Sequence, residues 1–296
     1  MTNICNNCPR HCKIDRDKVA GFCGATNSIK IAKVSKHYGE EPIISGPNGS
    51  GTIFFSHCNL KCVFCQNYDI SHEGYGKNVS VNELVEIFKK LEKAKVDNIN
   101  LVSPTQYALQ IAAALKIYKP KVPVVYNCNG YEDIGTLKVL APYVDIYLAD
   151  LKYFYNELGK VYSSVDNYFD VASVAIKQMR ANQPKDVIKN GIMKRGLIVR
   201  HLVLPNCTDD SIKVIDWVAE NLGKDTIFDA MCQYVPMYKA CDYPEINRKL
   251  KPIEYKRVVK YMQRVGLING YIQDMDSATT NEIPKFDLSG IDGEIT

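Results

Sequence analysis

Three cysteines behind a short apolar run constrain this chain more than any other feature. Residues 52–71 read TIFFSHCNLKCVFCQNYDIS. Ile53, Phe54 and Phe55 have the apolar continuity of a short buried strand. That strand delivers Cys58, Cys62 and Cys65, spaced C-x3-C-x2-C, onto the loop that leaves it, where the thiols can meet at one metal centre. The number three is informative. A closed structural zinc site takes four protein ligands, and an ordinary iron–sulfur cluster takes four cysteines. Three leave one metal position open to another molecule. His57 with the three cysteines would make a zinc site, and unrelated buried thiols are the plainest alternative. At a strand-to-loop junction the spacing favours a metal centre, with His57 packed beside it rather than ligating.

The rest of the composition agrees with a reducing environment. The chain has 11 cysteines in 296 residues, an odd number, and seven of them fall into two tight groups, which is a metal pattern and not a disulfide framework. With 46% hydrophobic residues it can bury a large core. The net charge of +4 is mild, and Lys and Arg are scattered, so no nucleic-acid surface is expected. The N-terminus lacks the apolar core of a signal peptide, and no apolar run reaches membrane-spanning length. A cytoplasmic protein of a cell that tolerates oxygen-sensitive clusters is expected.

The second group is Cys5, Cys8, Cys12 and Cys23, spaced C-x2-C-x3-C-x10-C. Pro9, Gly21 and Gly24 supply turns for wrapping a metal. The segment has little apolar mass, so a metal would contribute much of its stability. Four cysteines suit structural zinc or a second Fe–S cluster equally. Residues 31–50 read as a linker with turn chemistry, giving an expected division into a cysteine-rich extension over 1–50, a core over 51–275 and a frayed tail over 276–296.

In the core, apolar runs at 51–56, 98–102, 122–126, 144–148, 196–204 and 226–234 alternate with helical periods at 81–95, 107–118, 134–140, 171–179 and 211–222. A helix over 250–265 and an edge strand over 270–275 follow. Strand–helix alternation with nearly continuous apolar strands means a parallel sheet. Six units fall short of a closed eight-stranded barrel. Chemistry in such sheets sits at the C-terminal strand ends. Those ends carry Ser103 and Thr105, Asn127 to Gly130, Asp150 and Lys152, Arg200 and His201, and Gln233 and Tyr234. The long excursion 153–195, rich in Tyr and Phe, is expected to cover the site or to pack as a satellite. Cys128, Cys207, Cys232 and Cys241 are expected as packed thiols, Cys128 alone near the site.

The C-x3-C-x2-C motif after the first strand, with Phe64 before its last cysteine, resembles the radical S-adenosylmethionine (SAM) superfamily. The resemblance implies an α/β fold, a partial, open (β/α)6 barrel. It implies a [4Fe–4S] cluster on Cys58, Cys62 and Cys65 whose fourth iron chelates SAM. Reductive cleavage of SAM would then give a 5′-deoxyadenosyl radical that abstracts hydrogen from a substrate, with the electron from a flavodoxin- or ferredoxin-like donor. Among branches, the chain is most similar to relatives of the pyruvate formate-lyase activating enzyme. Asp150-Leu-Lys152 matches their Asp-x-Lys. His201-Leu-Val-Leu-Pro205-Asn206 matches their His-x-x-x-Pro-Gly, with Asn for Gly. Asn127-Cys128 replaces their Asp-Thr, and Ser103-Pro104-Thr105 replaces their Gly-Gly-Glu. The resemblance thus implies cofactor contacts from Phe64, Ser103, Thr105, Asn127, Asp150 and Arg200. It implies catalytic or substrate-orienting roles for Asp150, Lys152 and His201, and a protein or peptide substrate, as in a glycyl-radical activase. Chemistry on a small molecule is the alternative within the class, and a zinc-binding scaffold the alternative outside it.

Overall fold

In the computed structural model, residues 4–280 and 283–295 are described. The strands are β1 (Ile29–His37), β2 (Ser50–Phe55), β3 (Lys77–Val79), β4 (Asn98–Val102), β5 (Val124–Cys128), β6 (Ile146–Asp150), β7 (Val187–Lys189), β8 (Ile192–Leu202), β9 (Ile227–Met231) and β10 (Gly270–Ile272). The helices are α1 (Pro42–Ser45), α2 (Tyr68–Ser71), α3 (Val81–Lys93), α4 (Ala108–Ile117), α5 (Ile134–Leu140), α6 (Asn156–Ser163), α7 (Tyr168–Asn182), α8 (Thr208–Asn221) and α9 (Pro252–Val265). All six expected strands form, and they pair in parallel as β2, β4, β5, β6, β8 and β9. β10 extends them in parallel beyond β9, and β1 and β3 extend the other side in antiparallel sense. The sheet order β10-β9-β8-β6-β5-β4-β2-β1-β3 ends on two unjoined edges. The fold is a partial, open α/β barrel, as expected.

Local sequence explains the helices. Ser80 and Glu83 form a reciprocal capping box at the start of α3, satisfying two backbone donors that no helical turn can reach. Leu84, Val85, Ile87, Phe88 and Leu91 then recur on one face, and all are buried.

Side-chain alternation along each strand builds the interior in layers. Tyr147, Ala149, Leu197, Val199, Phe228 and Ala230 face the helices and join the main core. Ile146, Leu148, Ile198 and Ile227 face the other way, into the barrel, and close over Ile44 of α1. Two residues further along three of these strands, on the same inner face, come Asp150, Arg200 and Asp229. The barrel therefore has an apolar floor sealed by α1 and a polar layer above it.

Two expectations fail. Residues 31–50 are no linker. β1 pairs along β2 and buries Ile29, Ile31 and Val34, and α1 plugs the barrel. The tail is not frayed across its described part. Val34 N donates to Ser289 O at 2.9 Å and Leu288 N to Ala32 O at 3.0 Å. Ile291 is buried, and Phe286 packs edge-on to Phe54. Ile291→Ala is expected to cost about 2–5 kcal/mol in urea unfolding, the range for truncating a buried isoleucine; an unchanged midpoint would show that the tail's packing adds nothing.

Candidate active site

The three cysteines of the motif open onto one cavity of about 480 Å³. Its walls include Cys58, Cys62, Phe64, Cys65, Ser103, Asn127, Asp150, Lys152 and Arg200. Of the cluster, cofactor and catalytic residues that the resemblance implies, all but Thr105 and His201 meet here.

The loop carrying the thiols is held from several sides. Gln106 Nε2 donates to the carbonyls of Ser56, His57 and Ser103 at 2.8, 3.0 and 2.8 Å. Asn59 Nδ2 donates to Tyr131 O at 2.7 Å, and Arg10 Nε donates to Asn59 O at 3.0 Å. The excursion after β6 supports the same loop, with Lys61 N and Val63 N donating to Ser163 O and Tyr162 O at 3.2 and 2.9 Å. Phe64 packs edge-on against Tyr162 and Tyr234. The excursion is thus a buttress for the cysteine loop.

Each sulfur has a polar neighbour. Leu60 N and Asn129 Nδ2 both donate to Cys58 Sγ at 3.4 Å. Ser163 Oγ lies 3.0 Å from Cys62 Sγ, and Ser71 Oγ 3.2 Å from Cys65 Sγ. Burial pushes the Cys58 and Cys62 thiols up to about 11 and raises Cys65 as well. Such thiols stay protonated at neutral pH unless a cationic centre takes them, and donors already in place suit thiolate sulfur. Lys152 adds positive charge beside Cys62. The donor set fits a metal cluster. Among the described residues no three His, Cys, Asp or Glu side chains close around a single ion. Cluster ligation differs in that each cysteine takes a different iron.

Below the thiols lies an ion network. Arg200 Nε donates to Asp150 Oδ1 at 2.9 Å and Nη2 to Asn127 Oδ1 at 2.7 Å; Nη1 lies 3.3 Å from Glu40 and 3.7 Å from Glu41. Lys152 Nζ donates to Asp150 Oδ2 at 2.7 Å. Burial alone would raise the Asp150 carboxyl, but Lys152 and Arg200 outweigh it and hold the group below its ordinary value. Burial likewise opposes the charges of Lys152 and Arg200, and the carboxylates around them prevail.

Thr105 and His201 do not line the cavity. Thr105 lies in the single turn after β4, buried, and its hydroxyl donates to Glu132 Oε1 at 2.5 Å. His201 follows the inward Arg200, so strand alternation turns it outward. Its Nδ1 lies 2.7 Å from Leu151 O and its Nε2 2.9 Å from Ser211 Oγ, and burial lowers it to about 4. It is a neutral strut between β6, β8 and α8.

Glu40, Glu41 and Asp229 were missed. The first two sit in the supposed linker, but Asp229 had a signal, an ionisable residue inside the apolar strand Ile227–Met231. Of the expected packed thiols, Cys128 and Cys232 are buried, Cys207 is half-buried and Cys241 is exposed.

The N-terminal group packs on the cysteine loop. Cys5, Cys8 and Cys23 are buried and Cys12 partly so. Lys61 Nζ reaches Cys23 O at 3.4 Å, and a Cβ on Gly24 would lie 2.8 Å from His57 Nδ1, so only glycine fits beneath that ring.

The radical SAM superfamily model matches residues 52–218. The uncharacterized protein MJ0674 of Methanocaldococcus jannaschii is 35% identical over 277 residues, covering 89% of this chain and 75% of its own length. A second uncharacterized protein of that organism, MJ0808, is 24% identical over 260 residues, covering 81% of this chain and 73% of itself. Similar solved structures include Streptococcus suis SuiB bound to precursor peptide SuiA, at 16% identity and TM-score 0.49 over 75% of this chain and 48% of that one. Methylornithine synthase (PylB) gives 15% and 0.48 over 72% of this chain and 62% of that one. The chain therefore spans about half of SuiB. It belongs to the radical SAM superfamily. Membership implies a [4Fe–4S] cluster, SAM and an external electron donor. Among the described residues no helix is long and apolar enough to cross a membrane.

Glu132 offers a test of how the wall behind the site is built. Burial pushes its carboxyl up to about 8, and it accepts from Thr105 and Tyr126. The folded state thus holds a proton that the unfolded state, near pKa 4.3, releases first. The stability this group contributes is present below about pH 4 and is lost as pH rises towards 8. Glu132→Gln is expected to shift the variant-minus-wild-type unfolding free energy in the variant's favour by roughly 1 kcal/mol per pH unit between pH 5 and 8. A gap independent of pH would contradict the buried, protonated state.

Proposed function

We propose that Cys58, Cys62 and Cys65 bind the [4Fe–4S] cluster and that the cavity beside them binds SAM. The convergence of the three thiols, each with a polar neighbour at its sulfur, on one cavity is the observation that carries this reading. When bound, the group supplies reductive cleavage of SAM to methionine and a hydrogen-abstracting 5′-deoxyadenosyl radical. The chain's own residues position and shield. Phe64 sets its backbone against the adenine. Ser103, whose N–H and carbonyl are taken by Asn127 O and Gln106 Nε2, has its hydroxyl to offer the methionine end. Asp150, held ionised by Lys152 and Arg200, accepts from the ribose hydroxyls. Arg200, itself held by Asn127, fixes Asp150 in place, and Lys152 balances thiolate charge beside Cys62.

The substrate we propose is a protein or peptide segment, as in glycyl-radical activases. The Asp150-Leu-Lys152 motif, at the cavity as that resemblance implies, supports it. For Cys5, Cys8, Cys12 and Cys23, whose thiols do not close around a single ion as placed, we propose a second metal, zinc or Fe–S, that would draw them together and stiffen the platform under the cysteine loop. Their burial and the Lys61 and His57 contacts support this.

Metal and sulfide analysis of anaerobically purified protein tests both sites. About four irons, lost with SAM cleavage when Cys58, Cys62 and Cys65 are all replaced by Ala, are expected. One further zinc, or about four further irons, should be lost only on replacing the N-terminal cysteines. Undiminished iron and 5′-deoxyadenosine formation in Cys62→Ala would overturn the first assignment. A metal content unchanged by Cys5→Ser with Cys8→Ser would overturn the second.

A further inference from the structure

The polar layer inside the barrel is out of electrical balance. Among the described residues, the ion pairs of Glu40, Glu41 and Asp150 run to two cations, Arg200 and Lys152, and Glu40 also accepts from Asn100 and Asn127. Lys152 is spent on Asp150, and Arg200 on Asp150, Asn127 and Glu40, with Glu41 Oε1 a longer 3.7 Å away. Two carboxylate oxygens remain without a donor, Glu41 Oε2 and Asp229 Oδ1. Both side chains are more than nine-tenths buried, with Glu41 at 7% and Asp229 at 2% exposure, and both line the cavity that the three cysteines enter. They lie within hydrogen-bonding reach of each other. Two ionised carboxylates buried without donors would be costly; a proton shared between them relieves the pair as long as no other donor enters.

The placement follows from the fold. Asp229 is opposite Arg200 on β8 and Tyr271 on β10 in the sheet register. Glu41 comes up from the floor, where its backbone carbonyl starts α1 by accepting from Ile44 N and Ser45 N. The paired acids thus lie in the wall between the sealed floor and the open cavity. Nothing in the cofactor roles proposed above uses them.

From this geometry we infer that Glu41 and Asp229 form a subsite for a cationic group of the substrate, an alkylammonium or a guanidinium, which donates to both free oxygens. The inference rests on reading this cavity as the radical SAM site and names the substrate class for it. Without the cation, burial raises both carboxyls and the pair holds a proton. Arg200 on β8, Asp150 on β6, Glu40 before α1 and Tyr271 on β10 are the other charged or titratable groups around it. An entering cation takes the proton's place, and one proton leaves to solvent, so affinity should rise with pH.

The test is calorimetric titration of the anaerobically reconstituted, SAM-loaded protein with Nα-acetyl-L-arginine methylamide, butylguanidinium and the neutral isostere Nα-acetyl-L-citrulline methylamide. The arginine probe is expected to bind at least about tenfold more tightly than the citrulline probe. Its affinity should fall about tenfold in Asp229→Asn and in Glu41→Gln, whose folding is checked by thermal melts, and binding should release a proton. Tighter binding of the arginine probe than of butylguanidinium would place the cation on a peptide; the reverse would place it on a small molecule. Equal affinity of the wild-type protein for the arginine and citrulline probes would overturn the inference, as would an unchanged affinity in folded Asp229→Asn. These titrations involve no turnover. A failed cation subsite is therefore distinguishable from a failed cluster assignment, which is judged by iron content and SAM cleavage.

Discussion

One guanidinium inside the sheet sets the terms for everything around it. Arg200 is surrounded by carboxylates from three directions, on β6, on β9 and in the segment that follows β1. In a low-dielectric interior neither the cation nor the acids would be tolerated alone, and removing one member of such a group usually costs several kcal/mol because the rest are left uncompensated. The network ties the antiparallel β1 hairpin to the parallel strands. It fixes Asp150 beside Lys152 and the cysteine loop. An open barrel, with no ring of strands to hold its shape, depends on such cross-ties more than a closed one.

The cysteine loop adds a second layer of constraint. Its carbonyls are taken up by Gln106, its Asn59 by Tyr131 and Arg10, and its backbone amides by the excursion after β6. Elements from the N-terminal segment, from β4 and β5 and from the insertion thus converge on eight residues. A loop so held presents its sulfurs in one arrangement before any metal arrives, which limits the ordering cost of binding.

Much of this was legible in the sequence. The cysteine spacing placed the site, and apolar runs located the six parallel strands, because buried strands leave a continuous signal. What failed was side-chain direction. His201 and Arg200 are neighbours, and a strict count of alternate residues would have sent one inward and the other outward. Thr105 lies beyond the strand, where no such count applies. The segment 29–37 carried its own hint in IKIAKVSKH, where lysines alternate with apolar residues over part of its length, but turn residues after it suggested a linker. The imbalance among Glu41, Asp229 and Arg200 is a property of three segments far apart in sequence, and only the fold brings them together.

Everything proposed for this site requires that one cluster on Cys58, Cys62 and Cys65 binds SAM directly. Electron paramagnetic resonance of the dithionite-reduced, anaerobically reconstituted protein tests it most directly. The expected result is the signal of a reduced [4Fe–4S] cluster whose g-values shift when SAM is added, and the loss of that SAM-sensitive signal when the three cysteines are replaced. A cluster signal indifferent to SAM, or one that survives the replacement unchanged, would contradict it.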